Sequence, residues 1–167
     1  MTVIVPNYFS PLEFVVSIKR LPNVQFFTQR SVIPSVNVSP VIQPTRFNQV
    51  YRTADEVNYG NLDLTFTVDE DMKNYLEIFR WIILSSFPEN HGQFSSIRDG
   101  DDGGLFSDIS IVVMNSKKNS NIEITYKNCM PIALSDVVLD TTQQDVIYPE
   151  ATASFQYDYF HIDYANK

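Results

Sequence analysis

Residues 62–71 read LDLTFTVDED and contain the most regular alternation of apolar and polar side chains in the chain. Because successive side chains of a β-strand point to opposite faces, this stretch predicts a strand with one buried and one polar face. The buried face would carry Leu62, Leu64, Phe66 and Val68. The polar face would carry Asp63, Thr65 and Thr67.

Directly after this strand, residues 70–86 predict an amphipathic helix. Its apolar side chains recur at gaps of three and four, which is the helical period: Met72, Tyr75, Leu76, Phe79, Ile82 and Ile83. Asp69, Glu70 and Asp71 stand where an N-cap and first-turn carboxylates would complement the helix dipole, and Pro88 would end the helix. Such a stripe can bind a partner helix or a membrane, but packing against a sheet is the favoured interpretation.

Strand patterns also dominate the rest of the chain. They cover residues 14–18, 24–38, 109–114, 122–126, 132–139 and 151–162. In the second of these, Pro34 predicts an edge, a bend or a bulge. The last has a largely aromatic face opposite a polar face that carries Thr152, Ser154, Gln156 and Asp158. We therefore expect one mainly β (α+β) domain over residues 1–167, with one helix beside the strands.

Two long segments have no regular periodicity. Residues 44–59 contain Arg46, Phe47, Tyr51 and Arg52, and a loop of this length inside a compact domain is usually functional or disordered.

The second segment, residues 89–105, holds four of the five glycines, in an Asp- and Gly-rich run that resembles a calcium loop. Counted from Asp99, position five of an EF-hand loop is Gly103 and position twelve is Ser110, where oxygen ligands are required. A solvated turn is therefore favoured over a metal site.

Composition and motifs argue against several classes of function. The 167 residues include 20 acidic and 12 basic side chains, a net charge of −8, which is unsuited to gripping nucleic acid by its phosphates. Cys129 is the single cysteine and lies in an apolar setting typical of an inert thiol. His91 and His161 have no ligand partner at metal-binding spacing, and no nucleophile elbow or phosphate-binding glycine motif occurs. We expect no enzyme, no cofactor and no metal site.

Charge is unevenly distributed along the chain. Residues 1–60 hold five basic and three acidic side chains, whereas residues 128–166 hold six acids and no Lys or Arg. A solvated acidic edge is the simplest interpretation. The alternative is a pair of complementary surfaces through which copies of the chain associate.

The chain begins without the basic leader and apolar core of a signal peptide, and no apolar run approaches the roughly 18 residues of a membrane span. We expect a protein that is cytoplasmic when made and that has no membrane partner. Export without a signal peptide, or inside a particle, stays open.

The order of these elements resembles the tail tube proteins of contractile-tailed, T-even-like bacteriophages, which are related to type VI secretion tube proteins. The resemblance is carried by residues 62–71, by the helix pattern NYLEIFRWI at 74–82, by NCMPIALSD at 128–136 and by ATASFQYDYF at 151–160. It spans almost the whole chain, although no single motif is unique to the family.

The resemblance implies an antiparallel β-sandwich or barrel with one flanking helix, in a subunit of a hexameric ring. Rings of this family stack into a tube inside a contractile sheath, and DNA passes through the lumen without specific binding. The long loop would contact the next ring, with Arg46, Phe47, Tyr51 and Arg52 as stacking candidates. The polar faces at 63–67 and 152–158 would line the lumen, with Asp63, Thr65, Thr67, Thr152, Ser154, Gln156 and Asp158 as candidates.

Partners implied by the resemblance are other copies of the chain, a sheath protein, a baseplate or tube-initiator protein and a tail-terminator protein. The protein would be assembled in the host cytoplasm and reside in the virion tail. A baseplate tube-initiator or tail-completion subunit with the same fold is one alternative. A monomeric small-molecule-binding β-barrel is another.

Overall fold

The computed structural model describes residues 12–54, 56–87, 92, 104–140, 142 and 148–164. These residues form eleven strands and two helices. In chain order they are β1 (Phe14–Ile18), α1 (Pro22–Phe27), β2 (Thr28–Ser31), β3 (Val36–Val38), β4 (Val41–Pro44), β5 (Gln49–Arg52), β6 (Val57–Tyr59), β7 (Leu62–Thr67), α2 (Lys73–Ser86), β8 (Ser107–Met114), β9 (Ser120–Leu134), β10 (Glu150–Gln156) and β11 (Tyr159–Tyr164).

The long strand β9 connects two antiparallel sheets. Its first half lies between β8 and β11, and β1 pairs with the far side of β8. Its second half pairs with β10, which is followed by β7 and then β2. Between the two halves, Asn128 has a φ of 55°, in the left-handed region that favours a local change of direction.

The core is built from the apolar faces of these strands. Leu62, Leu64 and Phe66 of β7 are fully buried, as the alternation of residues 62–68 predicts. On α2, Trp81 lies 6.0 Å from Phe155 of β10, between ring centroids. The predicted fold class, mainly β and antiparallel with a flanking helix, is confirmed.

Helix α2 starts three residues later than the sequence suggests, at Lys73 rather than Glu70. Asp69 and Met72 form a turn instead, with the Met72 N–H donating to the Asp69 carbonyl, and no acidic side chain lies in the first turn. The prediction of a carboxylate cap is therefore wrong. Met72 has a φ of 54°, which a helical residue cannot adopt.

The buried face of α2 is also rotated from the predicted stripe. Asn74, Ile78 and Trp81 are the buried residues of the helix, whereas Leu76 and Phe79 are 40% and 48% exposed. Asn74 is buried because it is satisfied: its Oδ1 accepts from the N–H of Asp69 and of Tyr75, and its Nδ2 donates to the Thr67 carbonyl at 2.8 Å. Part of the helix's apolar surface is therefore left facing solvent.

Three predicted strand boundaries differ from the structure. The predicted strand at 24–38 begins as helix α1, so the described chain has two helices rather than one. The separate strands predicted at 122–126 and 132–139 are one continuous strand that ends at Leu134. The predicted strand at 151–162 is divided by a bend at Tyr157 and Asp158 into β10 and β11.

Candidate assembly surfaces

Residues 36–59 form a two-step β-hairpin, called here the long hairpin. The inner step pairs β3 with β6, with Val36 opposite Tyr59, and the outer step pairs β4 with β5, with Val41 opposite Arg52. Residues 45–48 make the turn at the tip, closed by the Thr45 N–H donating to the Asn48 carbonyl at 2.9 Å. Half of the predicted irregular loop at 44–59 is thus paired strand, outside the two main sheets.

The long hairpin exposes an unusual amount of apolar surface. Phe47 at the tip is 94% exposed and Tyr51 is 65% exposed. Seven further apolar side chains are between 38% and 53% exposed: Val36, Val38, Val41, Ile42, Val50, Val57 and Tyr59. Apolar exposure of this extent on one segment is typical of a protein–protein contact surface.

Positive charge on the long hairpin is confined to its outer step. Residues 41–52 contain Arg46 and Arg52 and no Asp or Glu, whereas Asp55 and Glu56 follow in the returning segment and make residues 36–59 neutral overall. The Arg46 guanidinium carbon lies 5.9 Å from the Phe47 ring centroid, and Arg52 Nε donates to Gln43 Oε1 at 2.9 Å. All four stacking candidates therefore lie on one outer step of the hairpin.

The base of the long hairpin is held against the body. Tyr59 packs on Tyr157 and Phe160 at 5.9 and 5.6 Å between ring centroids. The Gly60 N–H donates to the Ser35 carbonyl at 2.9 Å, and a Cβ on Gly60 would lie 3.0 Å from Ser35 Oγ. This close approach explains a glycine at the point where the hairpin returns to β7.

The polar faces of β7 and β10 lie side by side. Thr65 is opposite Thr152, with their hydroxyl oxygens 3.1 Å apart, and Asp63 is opposite Ser154, whose hydroxyl donates to Asp63 Oδ1 at 2.6 Å. The opposite side of both strands is core. The register therefore brings these four candidates, which lie about 90 residues apart in sequence, onto one half-exposed polar face.

The remaining three lumen candidates lie at the margins of this face. Thr67 is opposite Glu150, and its hydroxyl accepts from Gln29 Nε2. Gln156 ends β10 opposite Met130 of β9. Asp158 lies beyond β10, in the bend before β11, where it accepts from Asn128 Nδ2 at 2.6 Å. The alternation of polar and apolar residues continues through this bend, so the sequence pattern predicted that Asp158 belongs to the strand.

The described residues offer little catalytic chemistry. Burial raises the pKa of the Cys129 thiol to about 12, so it stays protonated and unreactive at neutral pH. His161 packs edge-on against Tyr159. Within the described ranges, no group of three His, Cys, Asp or Glu side chains is arranged to hold a metal ion. His91 and most of the glycine-rich segment, including Asp99 to Gly103, lie outside the described residues.

None of the helices in the described part of the chain combines the length and the apolar character needed to cross a membrane.

Comparison with solved structures finds several chains with a similar fold. The chain is similar to a protein in the baseplate of the anti-feeding prophage (15% identity, TM-score 0.69, covering 98% of this chain and 100% of that one). It is also similar to a protein in the extended sheath–tube complex of the extracellular contractile injection system PVC (16% identity, TM-score 0.68, covering 98% of this chain and 95% of that one). A type VI secretion system effector from Yersinia pestis is more distant (9% identity, TM-score 0.51, covering 93% of this chain and 92% of that one).

Sequence comparison identifies the family. A search of curated proteins found no match. The model of one family, described as phage tail tube protein, matches residues 9–163, which is nearly the whole chain. This family is structural, which confirms the expectation that the protein is not an enzyme and disfavours a monomeric small-molecule-binding barrel. The chain belongs to the phage tail tube protein family.

Proposed function

We propose that six copies of this chain form a ring and that the rings stack into the inner tube of a virion tail, which conducts the genome. The main observation in favour of this proposal is the exposed apolar surface of the long hairpin. Apart from Tyr59, which packs on the body, its exposed apolar side chains face solvent in the single chain, and a stacked neighbour would remove them from water. The stacking role of Arg46, Phe47, Tyr51 and Arg52 follows from their position on its outer step.

Sheet edges supply the contacts within a ring. Of the described strands in the main sheets, β1, β2 and β11 each have one edge without a partner strand. Such edges pair readily with other chains unless they are protected. Pairing between neighbouring subunits would close the edges and continue the sheets around the ring.

The lumen is lined by the polar face of β7 and β10. Asp63, Thr65, Thr152 and Ser154 present hydroxyl and carboxylate oxygens, and the basic side chain on this face is Arg30 of β2, opposite Thr65. In a chain with a net charge of −8, a face with this one arginine offers too few cations for the many phosphate contacts whose counterion release would hold DNA. The genome would therefore pass without binding.

The wider assembly is proposed from the family and from the named complexes. Similar chains occur in a sheath–tube complex, a baseplate and a terminating cap. We infer a surrounding contractile sheath, a baseplate or initiator protein at one end and a terminator at the other. Assembly would take place in the host cytoplasm before the tail joins the virion.

The stacking role is tested by removing the outer step of the long hairpin. In the variant, residues 41–52 are replaced by two glycines, which leaves β3, β6 and the Tyr59 anchor in place. We expect rings but no extended tubes in negative-stain electron micrographs, whereas the wild type forms long hollow tubes. Lys117→Ala, in the exposed turn after β8, is the control and keeps its tubes. Tubes of normal length from the shortened variant would contradict the stacking role.

The lumen assignment is tested by changing the sign of charge on the polar face. A phage carrying Thr152→Lys and Ser154→Lys is expected to assemble but to eject its DNA more slowly, because every ring then offers cations to the phosphates. Asn119→Lys with Asn121→Lys adds the same charge at the turn between β8 and β9. Normal ejection by the first variant, with intact tails, would reject this lumen face.

The same domain could also serve as a tube initiator, since the similar chain in the anti-feeding prophage belongs to a baseplate. The two roles differ in copy number. A tube subunit is present in many rings along the tail, and an initiator in only one or a few. Quantitative mass spectrometry of purified virions separates them.

A further inference from the structure

A groove of about 680 Å³ lies at one end of the body, where β7 leads into α2. We call it the end groove. Its apolar lining includes Phe27, Val68, Met72, Leu139 and Tyr148. Leu139 and Tyr148 are 86% and 73% exposed, so this lining faces solvent in the single chain.

The end groove and the long hairpin lie at opposite ends of β7. The hairpin leaves the body at Ser35 and returns through Gly60, just before Leu62 at the start of β7. The groove begins at Thr67, where the strand ends. Six strand residues span about 20 Å. A surface at each end of one subunit permits a head-to-tail contact, which extends indefinitely when its rotation does not close.

The two surfaces are also complementary in charge and chemistry. The hairpin tip presents Phe47 with Arg46 and carries no acid. The groove lining includes Asp69 and Glu70 and, among its described residues, no Lys or Arg. Its volume lies within the usual range of sites that enclose ligand-sized apolar groups. Opposite charges beside a hydrophobic contact would fix the register of the two chains.

We propose that the end groove receives the hairpin tip of a second copy of this chain, in the adjacent ring. Phe47 would enter among Val68, Met72 and Leu139, with Arg46 facing Asp69 and Glu70. This inference rests on the proposed function, because it requires stacked rings. It goes further by assigning the surface that the hairpin contacts and the polarity of the stack.

Chemical cross-linking tests this contact in assembled tubes. The full-length chain is given Asn48→Cys beside Phe47 at the tip and Leu139→Cys in the groove, and tubes are treated with a short bis-maleimide. The native Cys129 is buried and does not compete. Head-to-tail links should give a ladder of covalent oligomers on a denaturing gel. The control pairs Asn48→Cys with Lys117→Cys, which lies in the turn after β8, and should give no ladder.

The outcomes separate this inference from the function on which it rests. A ladder with the groove cysteine and none with the control supports the contact. Tubes in micrographs without a ladder overturn the contact and leave the tube function standing. If the wild-type chain forms no tubes, both fall. If only the double-cysteine chain fails to assemble, a chain with Asn48→Cys and a chain with Leu139→Cys are mixed together with wild-type chains in the same tubes. A cross-linked dimer of the two variant chains is then expected, and its absence overturns the contact.

Discussion

The body and the long hairpin use similar apolar side chains in opposite ways. In the body, Phe66, Trp81 and Phe155 are at most 1% exposed and belong to one core cluster, in which the Trp81 ring of α2 lies against Phe155 of β10. In the hairpin, Phe47 and Tyr51 face water. Because burial of apolar surface is the dominant favourable contribution to folding, the body can be stable as a single chain, whereas the outer step of the hairpin would bury its apolar side chains only in an assembly. One chain therefore encodes both a folded body and a separate surface for assembly.

Two phenylalanines give the strongest contrast between these regions. Phe155→Ala is expected to lower the free energy of unfolding by about 3–5 kcal/mol, because it leaves a cavity beside Trp81. Phe47→Ala is expected to change it by less than about 0.5 kcal/mol, as for other exposed sites. Urea unfolding followed by the fluorescence of Trp81, at a concentration where tubes are absent, measures both. A similar loss of unfolding free energy in the two variants would contradict the expectation that the hairpin tip does not stabilise the single chain.

Two asparagines sharpen the comparison at a smaller scale. Asn74 is fully buried and joins the end of β7 to the start of α2 by three hydrogen bonds. Asn74→Ala should cost about 1–3 kcal/mol, since it leaves the Thr67 carbonyl and two backbone N–H groups unsatisfied. Asn37→Ala, on the exposed inner step of the hairpin, should be close to neutral. Equal thermal midpoints for the two variants would show that the buried asparagine is not structural.

The smallest expected effect concerns Cys129 in the body. Because burial raises its pKa to about 12, the native thiol should react with a thiol reagent at pH 8 only when the chain unfolds. The unfolded chain loses this proton at a lower pH than the folded chain, so the contribution of Cys129 to stability falls as pH rises above about 8.5. Cys129→Ala should therefore reduce the loss of stability at alkaline pH. Part of the loss should remain in this variant, because burial also raises the pKa of Tyr157 to about 12. Rapid native labelling at pH 8 would contradict a closed core.

The sequence predicts the body better than the points where it is joined. Strand β7 could be recognised because apolar and polar side chains alternate along a half-buried strand. Helix α2 could be recognised because its apolar side chains recur every three or four residues. Helix α1 was missed because its Val and Phe residues favour strands, although Pro22 at the first helical position was a usable signal. The start of α2 was misplaced because the left-handed turn at Met72 has no signature in the local pattern.

The candidate surfaces were predictable only in part. The long hairpin was recognised as unusual from its length, its arginines and its aromatics, but its two steps depend on strand pairing between residues up to 23 positions apart. The contact of Thr65 with Thr152 is set by the register of β7 on β10, across 87 residues. The end groove draws its lining from the α1–β2 junction, from the β7–α2 connection and from Val137, Leu139, Tyr148 and Pro149, which no local pattern brings together.

Electron cryomicroscopy of purified wild-type protein would show whether the chain assembles through its long hairpin. We predict hollow tubes of stacked six-membered rings. The polar face of β7 and β10 should face the lumen, and the long hairpin should contact the adjacent ring. A monodisperse single chain at high concentration, or tubes in which the hairpin projects into solvent, would contradict the division of this chain into a folded body and an assembly device.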